Sequence, residues 1–128
     1  MVAIFDTNIV VDYLRDKGDT ASKVERYAEI CLPTIVCGEL MFGAAISGNP
    51  AKHQEKVAEF IRRSRILIVD LSVAQEYVKV RKHLQLKGKP IPENDIWIAA
   101  TAHAHGLKLI TRDQHFAYID FLNVEFWK

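Results

Sequence analysis

Glu-Asn-Asp-Ile-Trp-Ile-Ala-Ala-Thr-Ala-His-Ala-His-Gly-Leu-Lys-Leu-Ile-Thr-Arg-Asp, residues 93–113, reads as a helix, a glycine stop, a short buried strand and an acid just past it. Pro90 and Pro92 stand before it, so a helix begins close to Asn94. Ile96, Ala99, Ala100 and His103 recur at helical spacing. The alanines are small enough to let this helix lie close against a sheet. Gly106 ends it in the left-handed cap position. Residues 107–111 are too few for a helix and apolar enough for a central strand. Asp95 therefore sits near a helix N-terminus and Asp113 just past the C-terminal end of a strand, the edge at which an open α/β sheet builds its site.

Outward from this stretch the same alternation repeats. Residues 2–5 read as an apolar strand with Asp6 at its end, followed by a short helix whose apolar face is Ile9, Val10, Tyr13 and Leu14. A second helix is expected over 20–29 and a strand over 30–32, broken at Pro33. Thr34 is placed to cap the next helix, which carries Glu39 in its second turn among Val36, Leu40, Met41 and Phe42. An amphipathic helix over 51–64, a strand over 66–69, a helix over 72–86 closed by Gly88, and a last strand near 124–126 complete the chain. Strand–helix alternation of this kind predicts a three-layer α/β/α sandwich around a central, mostly parallel sheet with right-handed crossovers.

The chain of 128 residues reads as one domain, 1–128, with room for a genuine core. Lys plus Arg number 17 and Asp plus Glu 16, a balance that neither announces nor excludes a polyanionic partner. With four acids sequestered around a metal, the remainder carries 17 cationic against 12 acidic groups, and that surface suits a polyanion. Cys31 and Cys37 form no Cys-x-x-Cys pair and read as buried free thiols of a reduced cytoplasm. No signal peptide, membrane-length apolar run, internal repeat or low-complexity tract is expected.

Four acids, Asp6, Glu39, Asp95 and Asp113, fall on the same rim in this arrangement, with no basic partner adjacent in sequence to most of them. Each has a plain structural alternative: helix cap for Asp6, dipole-complementing acid for Asp95, solvent-facing helix residue for Glu39, turn former for Asp113. Together they are harder to explain so. Two carboxylates at 4 Å repel by about 4 kcal/mol at an effective dielectric of 20, so something positive must neutralise them. An all-oxygen set selects a hard divalent cation, Mg²⁺ or Mn²⁺. Such an ion acidifies a water for in-line attack at phosphorus, which points to phosphodiester hydrolysis without a covalent intermediate.

Phe-Asp-Thr-Asn at 5–8, Glu39-Leu40 after Thr34, Asn94-Asp95 leading into Ile98-Ala99-Ala100, and Thr111-Arg112-Asp113 followed by Phe116 resemble the PIN domain family. Within it the likeness is to the VapC toxins of prokaryotic toxin–antitoxin pairs, from Asp6 to the C-terminus. The resemblance implies a Mg²⁺- or Mn²⁺-dependent endoribonuclease, commonly a homodimer, held inactive by a VapB-like antitoxin. It also implies that Asp6, Glu39, Asp95 and Asp113 are the acidic quartet, with Asp6 and Asp95 the most direct metal ligands. Asn8 and Thr111 match polar positions that hold those acids through hydrogen bonds.

Arg112 and Arg81 are the residues offered to substrate phosphates, with an exposed loop arginine and a solvated helix face as the alternatives. His103 and His105 are two apart and cannot share a helical face as metal ligands. His115 lies near the site in sequence, and hydrolysis by metal-bound water does not require it. Trp97 reads as a packing or interface residue, and Met41 and Phe42 as core packing with a dimer surface or an antitoxin groove as the alternative. A haloacid-dehalogenase-like phosphatase also begins with an acid after its first strand, but it needs a second acid where this chain has Asn8. A non-catalytic interaction module of the same α/β class is the remaining alternative.

Overall fold

The computed structural model describes residues 1–128. The chain runs β1 (Val2–Phe5), α1 (Thr7–Leu14), α2 (Thr20–Val24), β2 (Glu29–Pro33), α3 (Thr34–Ala45), α4 (Pro50–Arg62), β3 (Arg65–Leu67), α5 (Leu71–Lys87), α6 (Glu93–His105), β4 (Leu109–Thr111) and β5 (Val124–Phe126). A 3-10 helix, Gln114–Tyr118, lies between the last two strands.

The five strands form one sheet in the order β3-β2-β1-β4-β5, parallel at every pairing. Ile4 lies opposite Cys31 on one side and Leu109 on the other, and Phe5 opposite Ile110. From β1 the chain steps outward to β2 and β3, then returns across the sheet to β4. Right-handed crossovers accordingly place α1 to α4 on one face and α5 with α6 on the other. The reversal falls between β1 and β4, and it opens a crevice beyond the C-terminal ends of those two strands. Asp6 follows β1 and Asp113 follows β4, so topology alone brings both to that crevice.

The central strands are apolar throughout because both faces are covered: Ala3, Ile4, Phe5, Leu32, Leu109 and Ile110 are fully buried. Burying each larger side chain of this kind contributes about 1.5–3 kcal/mol. Within α6, Ile98, Ala99, Ala100 and Ala102 are also fully buried, since the helix is covered by the sheet on one side and by α5 on the other. Trp97 stacks on Tyr77 of α5 with ring centroids 3.9 Å apart, a packing role. Both cysteines are free and buried. No helix is long and apolar enough to cross a membrane.

Several element ends differ from expectation: α4 stops at Arg62 and β2 runs on to Pro33, which pairs with Leu67, and four further differences have a clear local reason. Helix α2 stops at Val24 instead of 29, because Glu29 already pairs with Val2 in β2. The intervening chain turns on hydrogen bonds from Arg26 to Lys23 and Tyr27 to Val24, which seat the Tyr27 ring against Phe5. Thr34 does not cap α3; its hydroxyl donates to the Leu67 carbonyl at 3.2 Å and ties the start of α3 to the end of β3. As an edge strand with one neighbour, β3 pairs only through Leu67, and Ile68 and Val69 are exposed beyond it. Strand β4 begins at Leu109, not 107, because Leu107 N–H turns back to the Ala102 carbonyl to close α6 around left-handed Gly106 (φ 62°).

Candidate active site

Asp6 occupies the N-cap of α1, where Oδ1 accepts the Thr7 N–H at 2.8 Å. Its Oδ2 accepts the Thr111 hydroxyl at 2.7 Å and the Asn8 amide at 3.3 Å. The Asn8 amide also reaches Thr111 Oγ1 at 3.4 Å, and Asn8 Oδ1 accepts the Arg112 N–H at 3.2 Å. These bonds lace the end of β1 to the end of β4. Asp6 is only 4% exposed, and that burial raises its pKa above the ordinary carboxylate value. Hydrogen bonds from Thr111 and Thr7 oppose the rise, while the charges of Glu39 and Asp113 add to it.

The other three acids face the same space. Glu39 Oε1 on α3 accepts the Thr7 hydroxyl at 2.6 Å, and Oε2 lies 3.5 Å from the Asn94 amide. Asp113 caps the 3-10 helix by accepting the His115 N–H at 2.9 Å, and its own N–H donates to Thr111 Oγ1 at 2.9 Å. Asp95 stands in the first turn of α6 with its side chain 13% exposed. Its carboxylate accepts no hydrogen bond from the protein; burial and then the charges of Asp6, Asp113 and Glu39 push its pKa up to about 7. His115 lies beside the pair, its Nδ1 3.0 Å from Asp113 and 3.8 Å from Asp95.

Asp95, Asp113 and His115 offer ligand atoms within 4.8 Å of one another, a group able to hold a metal ion. The donor set fits a divalent cation on its chemistry. Most contributing atoms are carboxylate oxygens, and one carboxylate is left without a hydrogen-bond donor among three other acids.

The remaining candidates are placed differently. Arg112 forms an ion pair with Asp12 of α1 at 3.0 Å. Arg81 donates to the Tyr77 hydroxyl at 2.6 Å and lies 3.7 Å from Glu93 on the outer side of α5 and α6. His103 meets Glu76 at 3.4 Å, away from the acids. Thr7 and Asn94 sit inside the quoted motifs without a role read from the sequence, and Asp12 lies outside all of them. A hydroxyl directly after Asp6 and an amide directly before Asp95 are signals that a closer reading can use.

The titration of Asp95 makes a prediction for the metal-free protein. Folded Asp95 keeps its proton up to about pH 7, whereas the unfolded chain releases it near 3.8. Across that window the folded state binds more protons, so its contribution to stability is complete below the lower value and is lost as pH rises through the upper one. Water at the open rim screens the effect to about 1–2 kcal/mol. Thermal melts of metal-free wild type and Asp95→Asn isolate it: the wild type loses stability relative to the variant between about pH 4 and 7. Parallel pH profiles of the two proteins contradict the assignment.

Residues 3–122 match the PIN domain, and the chain belongs to the PIN domain family. It is a VapC-like member of it. "Ribonuclease VapC2" of Haemophilus influenzae is 31% identical over 127 residues, covering 97% of this chain and 96% of that protein. "tRNA(fMet)-specific endonuclease VapC" of Shigella flexneri is 28% identical over 129 residues, with 97% and 96% covered. Among solved structures, VapBC2 from Rickettsia felis bound to a promoter DNA fragment superposes with a TM-score of 0.91 at 30% identity, covering all of both chains. FitAcB from Neisseria gonorrhoeae gives a TM-score of 0.81 at 30% identity over 97% of this chain and 96% of that one.

Proposed function

We propose that this chain is a metal-dependent endoribonuclease, the toxin of a VapBC-type pair, and that Asp6, Glu39, Asp95 and Asp113 hold Mg²⁺ (or Mn²⁺) at its active site. The observation that carries the reading is Asp95: a largely buried carboxylate without a donor, facing three more acids at the switch point of a parallel sheet. Proteins neutralise such a group with a proton or a cation, and a divalent cation is the choice that neutralises several of the facing acids at once.

A bound divalent cation supplies the charge that neutralises the rim, an acidified water, and stabilisation of charge at the phosphate. The chain's own residues prepare that place. Thr111 and Asn8 fix Asp6 Oδ2, and Thr7 bridges Asp6 to Glu39, its N–H on one and its hydroxyl on the other. Thr111 also accepts the Asp113 N–H, so a single hydroxyl orients two acids. Holding the oxygens before the cation arrives removes the cost of ordering them when it does. Asn8 has its amide and its carbonyl oxygen engaged in this lacing, which speaks against it taking the general-acid role of a dehalogenase-like phosphatase.

The partners follow from the relatives. The solved relatives include toxin–antitoxin complexes, and a VapB-like antitoxin is the partner proposed for this chain, with a homodimer as its own assembly. The cytoplasm is the proposed compartment, and residues 1–128 the unit that carries the activity. RNA is the substrate class, and the cationic excess left once the four acids hold metal favours its phosphates.

Incubation of the purified chain with total RNA tests the proposal. Discrete cleavage products are expected with Mg²⁺ or Mn²⁺, and none with excess chelator. Intact RNA under both conditions, from a chain that melts cooperatively, overturns it.

A further inference from the structure

We propose that Asp12 and Arg112 are positioning residues: their ion pair clamps the Thr111–Asp113 turn against α1 and so sets the spacing between Asp6 and Asp113. The proposal rests on the reading of those acids as metal ligands.

Asp12 is a buried acid on α1, its side chain 11% exposed. The only charged group that reaches it is Arg112, with Nη2 3.0 Å from Oδ2. A buried carboxylate without a counter-charge is strongly unfavourable, so Asp12 requires this arginine where it stands. The same residue is gripped a second time, through its main chain, by Asn8 Oδ1. Residue 112 is thus tied to α1 at both backbone and side chain. Its neighbours on either side are Thr111, which bonds Asp6 Oδ2, and Asp113. Asp6 is the cap of the helix that carries Asp12, so the pair closes a loop of contacts around two acids on adjacent strands.

This assignment differs from a phosphate contact. Turning the Arg112 guanidinium wholly towards RNA would take Nη2 from Asp12 and leave a buried charge unpaired. The half-exposed guanidinium is better used as a fixed strut, with its positive end turned to the protein. Partners that orient metal ligands in this way matter because misplaced ligands lose affinity and rate without any ligand being removed.

Asp12→Asn and Arg112→Gln in the full chain provide the test, singly and combined. Mg²⁺ and Mn²⁺ affinity is read from the metal-dependent shift in melting temperature, and kcat and KM from cleavage of a short RNA at several salt concentrations. Both single variants are expected to weaken metal binding about tenfold, and the double variant no further. KM and the salt dependence of RNA binding stay as in wild type. A rise in KM with a shallower salt slope in Arg112→Gln, absent from Asp12→Asn, marks a phosphate contact and overturns the clamp. Lower metal-free melting temperatures with unchanged metal affinity mean a purely structural pair, and also overturn it. Arg112→Lys, which keeps the charge but not the planar fork, is expected to retain most metal affinity and serves if a neutral variant does not fold. Should wild type leave RNA intact, the metal titration still decides the clamp while the nuclease reading fails on its own.

Discussion

Asp95→Asn is expected to lower RNA cleavage by about a thousandfold or more, the scale on which losing a group that organises charge in the transition state is felt. The same substitution is expected to raise the melting temperature of the metal-free protein at neutral pH. Asn keeps the shape and removes the charge that Asp6, Asp113 and Glu39 repel. Relief of about 1–2 kcal/mol, after screening by water at the rim, raises the melting temperature by about 3–10 °C. Few residues give gain of stability and loss of function in one substitution, and an active site built from mutually repelling carboxylates is one of the places where it is expected. Cleavage assays and paired thermal melts read both halves. Retained cleavage, or a variant less stable than wild type without metal, contradicts the role given to Asp95.

Phe116→Ala has the second largest effect, on stability. Phe116 is among the largest wholly buried side chains and lies in the 3-10 helix that Asp113 caps. Removing a buried ring costs about 3–5 kcal/mol through lost transfer energy and the cavity left behind. For a chain of 128 residues that lowers the melting temperature by about 10–20 °C. The turn that presents Asp113 is anchored by this ring, so metal affinity falls along with stability. A melting temperature within 3 °C of wild type, roughly a loss below 1 kcal/mol, shows that the pocket has closed and that Phe116 does not hold the turn.

The parts of the fold that were legible in the sequence are those with local signals. Gly106 and Gly88 close their helices in the left-handed conformation, and the short apolar runs at β1 and β4 have no other use than a buried sheet. The rim acids were legible because topology, not side-chain detail, puts the ends of β1 and β4 together. What escaped depends on partners distant in the chain. Nothing near Glu29 announces that it will pair with Val2 and cut α2 short. Thr34 has the right side chain for a cap and spends it on Leu67, more than thirty residues away. The Asp12–Arg112 pair spans a hundred residues, so a sequence reading sees an exposed loop arginine and a polar helix residue. His115 beside Asp95 and Asp113 was noticed only as a neighbour in sequence; its ring direction is set by the 3-10 turn.

If a divalent ion completes the pocket of carboxylates, a metal titration followed by melting must register it. Melting of wild type and Asp95→Asn is followed at pH 7 across increasing Mg²⁺ and, separately, Mn²⁺, each against a chelator control. A cation that binds only the folded state must raise the melting temperature, by about 2.7 kcal/mol of added stability at a hundredfold excess over its dissociation constant. The predicted result is a saturable rise in wild type and its near absence in Asp95→Asn. Identical melting of wild type in chelator and in saturating metal contradicts the account.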